Sequence, residues 1–273
     1  MASGLTDSEI AMTDPGERLE KPSLFLLLAE MRGTLEFALT VASAPALITA
    51  PRGDGHPVLV LPGFLASDAS TALLRGYLNY MNYRAYPWRL GRNSGGVYRM
   101  RAEVRKRIAD IHERTGRKVS LVGWSLGGVY ARDSALAMPD SVRSVITMGS
   151  AFARDVTASN VKRIYERVTG EFISAANPAD IEALAGDLPT PATAIYSKTD
   201  GIVNWRTCML RENERAENIE IVGGSHVGLG VNAAVFWAIA DRLSVPEGQF
   251  WPFERGGPFR LSYSRPSRTS RRV

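Results

Sequence analysis

The sequence predicts an α/β protein: a mostly parallel sheet with helices on both faces and a small helical cap. Three observations predict it. From His56 onward, short apolar runs alternate with longer stretches at helical spacing, the pattern of a parallel sheet covered on both faces. A glycine-rich turn, Gly123-Trp124-Ser125-Leu126-Gly127-Gly128, joins one such run to one such helix. Residues 152–188 hold helix-like pieces but no strand pattern. An insertion between two strands of such a sheet sits over the strand C-termini, where open α/β sheets bind ligands.

In chain order, residues 1–21 are polar and acidic and predict a mobile N-terminus. Pro22 and Ser23 open an apolar N-terminal helical segment, residues 22–55. It is expected to pack on the body as a helix, or to present an apolar surface to a membrane or partner. The body, residues 56–250, starts with an apolar run at 57–61 that ends in Pro62-Gly63, a strand and a turn. Leu73, Leu74, Tyr77 and Leu78 predict a helix over 69–82, and 86–90 reads as a strand. Val104, Ile108 and Ile111 fall on one face of a helix over 97–114. Strands follow at 118–123, 142–148, 193–197 and 219–222, with helices at 126–138 and 231–243. Residues 251–273 read as a basic tail.

Composition bounds the function classes. A chain of 273 residues that is 45% hydrophobic can bury a large core. The single cysteine, Cys208, forbids an intramolecular disulfide and a cysteine-based metal site, and three histidines make a zinc cluster unexpected. The net charge is +5, but six arginines lie between Arg255 and the C-terminus with no acid among them, so the rest is near neutral. That excludes the broad basic face of a nucleic-acid binder. No basic n-region leads into an apolar run, and the longest uncharged apolar stretch, 37–51, has 15 residues including Pro45. It is too short to span a bilayer. A cytoplasmic protein is expected.

The chemistry starts at Ser125. On a sharp strand-to-helix turn a serine hydroxyl is pushed out above the sheet, and flanking glycines avoid backbone clashes. A serine needs a general base. His226 lies in the small-residue loop Gly223-Gly224-Ser225-His226-Val227-Gly228, just after a strand. His56 precedes the first strand of the body and His112 lies in a charged helix, so neither is placed to serve. Asp200 follows the strand at 193–197 through a short turn and fits the acid that orients the base. A developing oxyanion needs two backbone donors. Leu126 N–H, directly after the nucleophile, is one; Phe64 N–H, in the loop Leu61-Pro62-Gly63-Phe64, is the other.

With these pieces in order, residues 56–245 resemble the α/β-hydrolase superfamily, and within it bacterial serine esterases and lipases. The segments that carry the resemblance are Val122-Gly-Trp-Ser-Leu-Gly-Gly128, Tyr196-Ser-Lys-Thr-Asp-Gly-Ile-Val203 and Gly224-Ser-His-Val-Gly-Leu-Gly230. The resemblance implies the α/β-hydrolase fold and ester hydrolysis by an acyl-enzyme mechanism without metal or organic cofactor. By position it makes Ser125, Asp200 and His226 the triad, and Phe64 and Leu126 the oxyanion hole. Pro62-Gly63 departs from the His-Gly of many lipases. A single glycine before a bulky residue resembles the branch that takes medium or long acyl chains. Leu65, Trp124 and Phe152 are candidates to line the acyl pocket, or are ordinary core. The implied partner is a small-molecule or lipid ester, with weak membrane-surface contact through the basic tail or the N-terminal helix. Acyl transfer to an acceptor other than water uses the same triad, and a non-enzymatic binding protein of this fold is the remaining alternative.

Overall fold

The structure, a computed structural model, describes residues 18–172 and 177–264. Its strands are β1 (Pro57–Leu61), β2 (Arg84–Pro87), β3 (Val119–Trp124), β4 (Val142–Met148), β5 (Ala192–Tyr196) and β6 (Ala216–Glu220). They form one sheet in the order β2-β1-β3-β4-β5-β6, with every neighbouring pair parallel. The helices are α1 (Leu24–Leu28), α2 (Gly33–Ala42), α3 (Ala44–Leu47), α4 (Ala72–Tyr80), α5 (Val97–Thr115), α6 (Leu126–Ala137), α7 (Lys162–Thr169), α8 (Pro178–Ala185), α9 (His226–Leu229) and α10 (Ala233–Ser244).

Every residue of β1 is buried, because successive side chains point to opposite faces and both faces are covered. Val58 and Val60 join the core under α4 and α10; Leu59 and Leu61 join the core under α5 and α6. α5 presents Val104, Ile108 and Ile111 to that second core. Gly116 ends it in the left-handed conformation (φ 63°), with its N–H on His112 O. Between β4 and β5, where a cap is expected, lie α7 and α8. Tyr165 of α7 packs on Phe64 (ring centroids 5.2 Å apart), and buried Arg132 of α6 donates to Leu184 O and Gly186 O at the end of α8.

Three stretches differ from expectation. β2 lies at 84–87 rather than 86–90, since Trp88 leaves the sheet: its N–H donates to Asp68 Oδ1 and its indole to Gly91 O. β6 lies at 216–220 rather than 219–222, its polar residues disguising it. Glu217 is paired with Arg242, and Asn218 exchanges two hydrogen bonds with the backbone of Leu210. Residues 251–264, expected as tail, return to the body: Phe253 and Tyr263 are buried, and Val222 N–H donates to Ser262 O. The arginines had masked these aromatic anchors. The remainder of the expected tail, 265–273, and residues 1–17 lie outside the described residues.

The N-terminal segment packs on the body through polar side chains and leaves an apolar surface outward. Leu24, Phe25, Leu28 and Met31 are between 66 and 82% exposed, whereas Glu30 is buried. Among the described residues no helix is long and apolar enough to cross a membrane.

Candidate active site

The chain leaves β1 for β2 on one side and β3 for β4 on the other. The loops after β1 and β3 therefore diverge and open a crevice at the strand C-termini. Ser125 stands there, one residue past β3, with φ 53° and ψ −123°, a conformation that is strained for a side chain larger than glycine. Its N–H donates to Met148 O (2.8 Å) and its carbonyl accepts from Gly128 N–H (2.9 Å). Close approach enforces the glycines: a Cβ on Gly123 would collide with the backbone of Gly127 and Gly128, and one on Gly127 with Leu61 O.

His226 begins α9, whose N-terminus is capped by the Ser225 hydroxyl. Its Nε2 lies 3.0 Å from Ser125 Oγ and its Nδ1 lies 2.6 Å from Asp200 Oδ2. An ionised carboxylate only accepts, so Nδ1 carries the proton and Nε2 is left to accept from the serine hydroxyl. The second oxygen of Asp200 accepts from Ile202 N–H (2.8 Å) and Val203 N–H (2.9 Å), which fixes the carboxylate. Burial works to lower the pKa of His226. The charge and hydrogen bond of Asp200, with the charge of Glu30, outweigh it and raise the value above that of an ordinary histidine.

Gly63 brings the loop after β1 against the nucleophile: a Cβ there would lie 3.2 Å from Ser125 Cβ. Among the described residues neither Phe64 N–H nor Leu126 N–H donates to a protein acceptor. The structure thus brings Ser125, His226 and Asp200 into one hydrogen-bonded chain, with Leu126 directly after Ser125 and Gly63, the residue before Phe64, packed against that serine. Trp124 borders it, its indole N–H on His226 O (3.1 Å), and Leu65 is 41% exposed beside Phe64. Phe152 is core: it is buried, under the guanidinium of Arg132. His56 and His112 lie elsewhere, the first buried against Asp54 and Ser120, the second bonded to Arg117 O.

Sequence reasoning missed three residues of the site. Gly149 (φ 55°) follows β4, and a Cβ on it would lie 3.1 Å from His226 Nδ1 and 3.3 Å from Asp200 Oδ2. Asn93, fully buried, holds the loop carrying Phe64. Its side chain donates to Pro62 O (2.8 Å), and its backbone exchanges bonds with Leu65 and Ala66. Glu30 accepts from the N–H groups around Asp200 and His226. Only Gly149 carried a signal, a glycine directly after an apolar strand.

No protein-family model matches the sequence, and no curated protein matches it. Solved structures similar in fold include a Paleococcus ferrophilus monoacylglycerol lipase (18% identity, 71% of this chain and 96% of that one, TM-score 0.51). Another is Aspergillus fumigatus lipase B (18%, 73% and 55%, TM-score 0.55). A third is a Bacillus licheniformis lipase in mature form (14%, 72% and 95%, TM-score 0.52).

Proposed function

We propose that this chain, which has the α/β-hydrolase fold, is a serine carboxylic-ester hydrolase with Ser125 as nucleophile, His226 as base and Asp200 as orienting acid. The observation that carries the reading is the continuous Asp200–His226–Ser125 hydrogen-bond chain, with the Leu126 amide directly after the serine and the Phe64 loop close to it, neither amide having a protein acceptor among the described residues.

In the cycle, His226 Nε2 takes the proton from Ser125 Oγ as that oxygen attacks the ester carbonyl. The Phe64 and Leu126 N–H groups hold the oxyanion of the tetrahedral intermediate. As the intermediate collapses, the bond to the alcohol oxygen breaks, and the alcohol leaves with the proton from His226. Water then attacks the acyl-enzyme, His226 again taking the proton, and the acid is released with Ser125 restored. Asp200 keeps Nδ1 protonated and stabilises the imidazolium. No step calls for a metal or organic cofactor.

An apolar acyl group of medium or long chain suits the surroundings. Leu65 and Val227, neighbours of the oxyanion loop and of His226, are 41 and 44% exposed, and Phe64 packs on Tyr165. Hydrolysis of p-nitrophenyl esters from acetate to palmitate by wild type and Ser125→Ala tests the reading. Activity that vanishes in the variant and peaks at medium or long chains is expected. No hydrolysis of any ester by folded wild type contradicts it; new ester formed in preference to acid when an alcohol is added would make the enzyme an acyltransferase.

A further inference from the structure

We infer that Glu30 is a positioning residue for the triad: one carboxylate, delivered from outside the α/β body, ties the Asp200 loop to the His226 loop. Glu30 Oε1 accepts from Gly201 N–H (2.8 Å), directly after Asp200, and from His226 N–H (2.9 Å). Its Oε2 accepts from Val227 N–H (2.9 Å). Three amides from two separate loops thus converge on one side chain, and the two buried ones, of Gly201 and His226, would otherwise be left without a partner at a cost.

The neighbours of Glu30 repeat the pattern with opposite and like polarity. Arg32 donates to Thr199 O (2.7 Å) on the acid loop and to Gly224 O (3.1 Å) and Gly223 O (3.3 Å) on the histidine loop. Glu36 accepts from Ser225 N–H (2.9 Å) and Ser225 Oγ–H (2.7 Å), and from Asn232 Nδ2 (2.8 Å). Both loops carry glycine where the segment presses in. A Cβ on Gly201 would collide with Leu26 O, and one on Gly228 with the Glu36 carboxylate. This explains the polarity of residues 24–36. Their charged side chains complete the hydrogen bonding of the catalytic loops, and their apolar side chains are left outside.

Position and electrostatics are linked here. The charged groups facing the His226 ring are Asp200, from the loop after β5, and Glu30, from the N-terminal segment; both favour its protonated form against burial. Arg32, the cation of the same segment, is directed at loop carbonyls. Since the neutral imidazole is the active base, removing the charge of Glu30 moves the acid limb of the kcat/KM profile to lower pH.

The role rests on the serine-hydrolase reading, and its test separates the two. Glu30→Gln keeps the shape and one acceptor oxygen but no charge. We expect kcat on p-nitrophenyl butyrate to fall about 10- to 100-fold with KM within about 2-fold, as for a displaced catalytic group. The pH inflection should shift to the acid side. In the proton NMR spectrum the downfield resonance of the His226 Nδ1 proton should move, and its titration midpoint should drop. Glu30→Ala should recover part of its lost kcat in formate, which refills the carboxylate site. A folded Glu30→Gln enzyme with wild-type kcat and inflection would overturn the role. So would a loss that matches only the loss of folded protein. If wild type hydrolyses no ester, the NMR arm still decides: an unchanged resonance and midpoint in Glu30→Gln would overturn the role on its own.

Discussion

β3 carries a serine–histidine–aspartate chain at each end, and only one is placed for chemistry. At its C-terminal end Ser125 Oγ, His226 Nε2 and Nδ1, and Asp200 follow at 3.0 and 2.6 Å. At its N-terminal end Ser120 Oγ, His56 Nε2 and Nδ1, and Asp54 follow at 3.0 and 2.5 Å. The distances match; the surroundings do not. Ser120 is fully buried in a strand paired on both sides, and its hydroxyl is shared with Ser144 Oγ (3.0 Å). No substrate carbonyl can reach it, and the strand pairing engages its backbone. Ser125 sits on a strained turn next to the Leu126 amide and close to the Phe64 loop, and among the described residues neither amide has a protein acceptor. The acids are reversed as well: Asp200 is buried, whereas the side chain of Asp54 is 48% exposed and is bridged by Arg117 and Arg143.

The bases diverge accordingly. Burial, then the charge of Arg143, lower the pKa of His56 to about 4 despite Asp54, so it stays neutral at physiological pH. Burial is outweighed at His226 by Asp200 and Glu30. Hydrogen-bond connectivity is therefore not what makes a nucleophile. On the proposed reading, what distinguishes Ser125 is a half-buried rather than fully buried hydroxyl, neighbouring amide donors and a base favoured as the imidazolium.

Breaking each chain should give effects of different kinds. His226→Ala is expected to cost on the order of 10⁶ in kcat, while Ser120→Ala leaves kcat near wild type; ester hydrolysis by the two purified variants checks both. His56→Gln should act on stability instead. The neutral form of His56 is favoured in the fold, so its contribution is complete above pH 6.5 and is lost as pH falls toward 4. From that shift wild type should lose about 3 kcal/mol across this window. Urea unfolding at several pH values should show a flatter dependence in the variant; equal slopes would refute the assignment. Asn93→Ala releases the loop carrying Phe64 and should lower kcat about 10-fold, less than loss of a whole oxyanion donor. Its kinetics on one p-nitrophenyl ester measure this.

One side of this comparison is legible in the sequence, the Ser125 end; the Ser120–His56–Asp54 chain is not. Ser125 was marked by glycines between an apolar strand and a helix, and Asp200 and His226 by their places after later strands. Those signals are local, and the turn and the strand ends produce them. What holds the loops is not local. Glu30 lies 196 residues before His226, on a stretch whose apolar residues say nothing of what its carboxylate meets. Its orientation is set by orphan amides that only folding creates. Asn93 is hidden for the same reason, its partner being distant in sequence, and the aromatic anchors Phe253 and Tyr263 are hidden both by distant partners and by the arginines around them.

The most direct test of the central claim is reaction with a fluorophosphonate, followed by peptide mass mapping of wild type and His226→Ala. One phosphonyl group per chain is expected, on Ser125, absent from the variant, with Ser120 unmodified. No adduct on Ser125 of folded wild type would contradict it.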